Sequence, residues 1–90
     1  MNTYLVSYDL IKPGKDYTHL IAYLKSYSGW AKPLESVWLL KTSLDHTGLR
    51  DAIRQHIDSN DKLLVVRVTN ETAAWFNLPE KVSDWIKTSL

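Results

Sequence analysis

This chain predicts a small α+β domain: an antiparallel four-stranded sheet in the order βαββαβ, with its helices on one face and a short C-terminal extension. Three observations carry that prediction. Ninety residues make one domain, 1–90, and no repeat, linker or low-complexity run divides it. Strand-like segments are interleaved with two stretches whose apolar residues recur at helical spacing. The strands are too few for a parallel doubly wound sheet, so a flavodoxin-like half gives way to the split βαβ units of a ferredoxin-like plait.

Residues 3–9 alternate, with Tyr4, Val6 and Tyr8 on one side and Leu5, Ser7 and Asp9 on the other. The strand ends on a carboxylate that the sheet fixes in place. A loop, residues 10–15, follows. Asp16 is placed to cap a helix over about 17–28, in which Tyr17, Leu20, Ile21, Leu24 and Tyr27 form one stripe. Gly29 reads as the left-handed stop of that helix. Residues 30–43 are extended, and Pro33 cannot donate to a ladder, so the stretch is either one bent strand or two short ones split near Pro33 to Glu35. Its second half, 36–42, is apolar on both faces and reads as central.

Asp45 to Thr47 supplies caps for a second helix over about 47–58, with Leu49, Ala52, Ile53, His56 and Ile57 as its buried stripe. Asn60 and Asp61 turn the chain into a Leu/Val-rich strand, 62–69. After a turn at 70–72, residues 73–76 read as a short final strand. Pro79 in a first turn and Glu80 at the positive end of the dipole start a C-terminal helix with Val82, Trp85 and Ile86 on its apolar side. With both main helices on one face, the other face of the sheet lacks a cover. Leu5, Val65 and either the Trp38/Leu40 or the Val37/Leu39 pair would be bare there. Two such faces packed together predict a homodimer.

Composition narrows the function less than the fold. Eleven basic and ten acidic residues give a net charge of +1, so the chain lacks the basic excess of a dedicated nucleic-acid binder and any such contact must come from a local patch. There is no cysteine, which removes disulfides and thiolate metal sites. No leader pattern and no apolar run of roughly 20 residues is found. The expectation is a soluble, cytoplasmic protein without a membrane partner. Four tryptophans and five tyrosines suit a core and a subunit interface, and Trp75 and Trp85 are expected to pack the C-terminal helix onto the body. His19, His46 and His56 form no cluster by spacing, and three scattered glycines make no phosphate cradle.

The segments YLVSYDL, LKSYSG and ESVWLL, in this order, resemble the small ferredoxin-like CRISPR-associated family that acts with an integrase during spacer acquisition. The resemblance covers residues 3–69 and extends to stand-alone SinR-like and VapD-like proteins. Family members are homodimers; some are metal-dependent endonucleases acting on RNA or DNA, others adaptors that hold duplex DNA. The resemblance implies that Asp9 is the metal ligand and catalytic carboxylate, that Ser36 stands near it across the sheet, and that Mg²⁺ is the cofactor. Mg²⁺ takes one or two carboxylates plus waters and phosphate, and a two-fold axis would bring Asp9 of each subunit together. Asp9 also reads simply as an anchor for the following turn. Lys12 and Lys15 flank Pro13 and Gly14 in the loop beside Asp9, where they would steer a phosphate backbone. Arg67, on the Leu63/Val65 side of its strand, is expected to pair with a carboxylate on the dimer face.

This chain departs from the family pattern at Glu35, where Gln, Arg or Lys often precedes the serine. It departs again in a first loop with only two lysines, and in a tail closer to the stand-alone relatives. Two functions follow: a dimeric nucleic-acid-associated protein with Mg²⁺-dependent endonuclease chemistry, or a non-catalytic interaction module of the same fold. A VapD-like toxin-system protein is a third reading.

Overall fold

The side chains of β1 (Asn2–Asp9) leave the strand alternately, and each set seeds a separate hydrophobic cluster. In the computed structural model, which describes residues 1–11 and 17–90, the other elements are α1 (Thr18–Leu24), β2 (Gly29–Leu34), β3 (Val37–Thr42), α2 (His46–Arg54), β4 (Lys62–Arg67) and α3 (Glu80–Ser89). The sheet has the order β2-β3-β1-β4, and every neighbouring pair is antiparallel. β3 thus lies between β1 and β2, and β1 between β3 and β4. The architecture is a small α+β domain consistent with a ferredoxin-like fold.

Tyr4, Val6 and Tyr8 face α1 and α2. They meet Leu20 and Leu24 of α1, Leu49 and Ile53 of α2, and Trp38 and Leu40 of β3, all essentially without solvent contact. Deep inside, Trp38 Nε1 donates to Tyr8 Oη at 2.9 Å. That bond satisfies an indole N–H in a place where an unpaired donor would cost about 1–3 kcal/mol. Asp45 caps α2 by accepting from the Gly48 amide at 2.7 Å, and a side chain at Gly48 would crowd that same carboxylate oxygen at 3.0 Å. The Gly48 amide, then the Thr47 hydroxyl, hold the Asp45 carboxyl below its ordinary pKa.

The first helix is shorter than its apolar stripe predicts. It ends at Leu24, the chain turns through 25–28, and Tyr27 closes the turn with its ring edge-on to Tyr23, centroids 5.3 Å apart. Burial, and then the hydrogen bond to Tyr23, push the Tyr27 hydroxyl above its ordinary pKa. Gly29 is not a left-handed helix stop. It opens β2, where a Cβ would lie 3.0 Å from the Lys41 Cβ across the ladder, so its role is close strand approach. Asp16, expected to cap α1, lies outside the described residues.

Residues 30–43 resolve into two strands joined at Glu35 and Ser36. Neither residue has positive φ, so the turn is not of the primed kind that matches strand twist; the ladder shifts register between Ala31 and Leu34, around Pro33. β3 is internal, as its two-sided apolar pattern predicts. The second helix stops at Arg54 and β4 at Arg67, both short of their expected ends.

Two sequence expectations are corrected on the far side of the sheet. Residues 73–76 form no strand. Asn70 and Asn77 take positive φ of 61° and 63° and bend the segment between them across the face, where Trp75 Nε1 donates to Ser83 Oγ at 3.0 Å. The helices are not confined to one face either. α3 packs on the face opposite α1 and α2, with Ile86 buried against Ala31 and Leu39, and Leu5, Val68, Trp75 and Trp85 around them. Thr3, buried, donates to the Ser89 carbonyl at 2.6 Å and fastens the end of α3 to β1.

Strand register also corrects the bare-face assignment. Val65 lies opposite Val6 and packs toward α1 and α2, and Arg67 lies opposite Tyr4 on that same side. The α3 side carries Leu5, Ser7, Asp9, Val37, Leu39, Leu64 and Val66. Among the described residues, no helix is long and apolar enough to cross a membrane.

If α3 is an integral part of the domain, Ile86→Ala should lower unfolding free energy by about 2–3 kcal/mol, toward the low end for a buried isoleucine because the site lies near a surface. Urea denaturation followed by tryptophan fluorescence measures this, and an unchanged midpoint would show α3 to be a passive tail.

Candidate functional site

Asp9 closes β1 at the rim of the sheet, directly opposite Lys62 at the start of β4. It is exposed, on the face that also carries Ser7. The neighbouring β3 starts one residue after Ser36, whose carbonyl accepts from the Tyr8 amide at 3.3 Å. That contact holds the Glu35–Ser36 turn against the end of β1. A notch of about 380 Å³ results, lined by Tyr8, Asp9, Leu10, Ile21, Lys32, Glu35 and Ser36. A smaller one, about 160 Å³, lies on the other side of Asp9, between Ser7 and Lys62 to Leu64. Asp9 is the residue shared by both notches that carries a charge.

The structure therefore places Asp9 and Ser36 at one notch. Lys12 and Lys15, the other two candidates, lie outside the described residues. Two charged groups in the notch were not assigned there by sequence. Glu35, read as a departure from a family pattern, is a second carboxylate facing the same space. Lys32 supplies a cation from β2, with its ammonium 5.6 Å from the Trp38 ring centre. The signal that could have found both is the hairpin itself: a turn at 35–36 folds residues on each side of it onto the end of β1.

Asp61 was also missed as more than a turn residue. Its carboxylate accepts from the Ile11 amide at 2.9 Å, the Asp58 amide at 2.8 Å and the Tyr17 hydroxyl at 2.9 Å. It thereby ties both flanks of the first loop to the entry of β4, and so braces the rim on which Asp9 sits. Burial works to raise the Asp61 carboxyl; the Ile11 and Asp58 amides and the Tyr17 hydroxyl outweigh it and hold the group below its ordinary value of 3.8.

A rim carboxylate with a second carboxylate, a hydroxyl and an ammonium beside it can hold a hydrated divalent cation or hydrogen-bond a polar ligand. Oxygen donors suit Mg²⁺, and one or two carboxylates with waters is its common protein complement. Among the described residues, no group of three or more His, Asp or Glu side chains is arranged to hold a metal ion. No protein-family model, curated protein or solved structure matches this chain.

Because the folded Asp61 carboxyl titrates below the unfolded one, its stabilising effect is complete above about pH 4 and disappears as pH falls through the folded pKa. Asp61→Asn should cost about 1 kcal/mol at pH 7, a low figure for charge-assisted bonds because the carboxylate is in contact with water. The same substitution should flatten the acid limb of a plot of stability against pH below about pH 4. Identical acid limbs for the two proteins would remove Asp61 as the brace.

Proposed function

We propose that this protein is a dimeric, nucleic-acid-associated member of the ferredoxin-like CRISPR-associated family and its stand-alone relatives, with Asp9 as a Mg²⁺-binding carboxylate in endonuclease chemistry. One observation carries the reading. α3 covers only the Leu5/Leu39 end of its face, and the uncovered remainder, with Leu34 and Leu64 each 59% exposed, runs up to Ser7 and Asp9. Joining two copies through that patch would hide the exposed leucines, and a two-fold axis at its Asp9 end would set Asp9 beside Asp9 of the partner subunit. The dimer surface is thus smaller than a fully bare sheet would give, and it abuts the candidate site.

In this arrangement the paired Asp9 carboxylates hold the cation, and Ser36 and Lys32 orient a phosphodiester in the notch. Mg²⁺, if held by the two Asp9 carboxylates, would supply Lewis-acid polarisation of the phosphate and a more acidic water. Pairing with Lys62 of β4, and the Tyr8 amide bonded to the Ser36 carbonyl, keep the end of β1 in place, which suits Asp9 to bind a cation without reorganising. The reading as a non-catalytic interaction module has its own support. Glu35 in the notch repels phosphate, and the net charge of +1 gives no broad attraction to a polyanion.

The deciding experiment measures cleavage of labelled RNA and DNA against Mg²⁺ concentration, alongside mass by light scattering. Asp9→Ala should reduce cleavage about 10²-fold or more while the dimer persists. Leu64→Glu should yield monomers and lose cleavage with them. Equal cleavage by the Asp9→Ala protein would exclude the chemistry, and absence of Mg²⁺-dependent cleavage in the parent would favour the interaction module.

A further inference from the structure

The β2 rim carries an arrangement of which the Asp9 chemistry uses only Lys32. Trp30 is 38% exposed, a large fraction for an indole, and its ring leans on the fully buried Trp38 with centroids 5.5 Å apart and planes at 49°. The Lys25 ammonium stands 5.4 Å from the Trp30 ring centre, and the Lys32 ammonium stands 5.6 Å from that of Trp38. Trp30 pairs with Leu40, so it belongs to the same face as Tyr8 and Trp38. Lys32, two residues further on, also lines the Asp9 notch. A cation, an accessible aromatic and a second cation therefore follow one another along the rim and end at the candidate site.

Single-stranded polynucleotides are bound by this combination: ammonium groups track the phosphates, and an aromatic ring stacks on a base that a duplex keeps hidden. Among the described residues, no strand pairs with this rim. Pro33 and the register shift between Ala31 and Leu34 prevent another chain from continuing the ladder there, so the edge stays open to a ligand. Trp38 anchors the indole from beneath, which presents the Trp30 ring with little loss of side-chain freedom.

We propose that Lys25, Trp30 and Lys32 form a binding strip for a single-stranded polynucleotide, in which Trp30 stacks one base and Lys32 leads the adjoining phosphate toward Asp9. The proposal deepens the nucleic-acid reading above and rests on it for the direction of the strand. It needs neither Mg²⁺ nor cleavage. The net charge of +1 means that the attraction is local to the strip, and the carboxylate of Glu35 marks where the phosphates must turn toward Asp9.

Fluorescence anisotropy in EDTA tests the strip with labelled 12-nucleotide RNA and DNA single strands and the matching duplexes. Single strands should bind at least about tenfold more tightly than duplexes. Trp30→Leu should weaken single-strand binding about fivefold or more, the effect of one lost stacked base, and Trp30→Phe should restore most of it. Lys25→Met and Lys32→Met should each reduce the steepness of the salt dependence. Circular dichroism of each variant checks that it folds, and Leu44→Ser, on an exposed leucine outside the strip, should bind as the parent does. Equal binding of duplex and single strand, or an unchanged affinity in Trp30→Leu and both lysine variants, would overturn the strip. Mg²⁺-dependent cleavage without strip-dependent binding also overturns it. Strip-dependent binding without cleavage upholds it and removes only the endonuclease reading.

Discussion

Tyr4, Val6 and Tyr8 leave one side of β1 while Leu5, Ser7 and Asp9 leave the other, and both hydrophobic clusters are built around that alternation. A slip of one residue would carry Asp9 into the α1/α2 core and expose two tyrosines. The buried bond from Trp38 to Tyr8 penalises such a slip, because the indole N–H would lose its acceptor far from water. The same register therefore fixes the core and delivers a carboxylate to the rim.

α3 divides the opposite face into two regions of different character. At the Thr3 end the helix is fastened by a hydrogen bond and an apolar cluster. At the Asp9 end the sheet is uncovered, with Leu34 and Leu64 in contact with solvent. Between them runs an apolar groove of about 430 Å³ that includes Leu34, Val37, Leu39, Ile86 and the highly exposed Phe76. A domain of 90 residues buries a modest share of its surface, so an extra helix on the second face adds core where disulfides are absent.

Much of this was legible in the sequence because local pattern and tertiary role agree there. The alternation of β1, the stripe of α2, the Asp45 cap and the two-sided apolar β3 all follow from period and capping. The start of α3 was legible from Pro79 and Glu80, but the face it covers was not, since an amphipathic helix reports its own apolar side and not which sheet surface receives it. Gly29 misled for a similar reason: glycine serves both helix stops and close strand contacts, and only the facing Lys41 distinguishes them. In the site, the place of Asp9 at a strand end was legible from the alternation of β1, whereas Ser36 was named only through the resemblance. Glu35 and Lys32 were not, because their place in the notch depends on whether residues 30–43 form one strand or a hairpin. Asp61 gave no pattern at all, as its three donors come from residues 11, 17 and 58.

The kink at Pro33 governs how copies of this molecule can add to one another through their sheets. Of the two outer strands, β2 is blunted by the imino acid and its register shift, while β4 offers an unbroken run from Lys62 to Arg67. A unit with a single adhesive border closes on meeting its like. A unit with two would string together without end, and an edge proline, which lacks an amide to donate, is one of the devices that work against such growth.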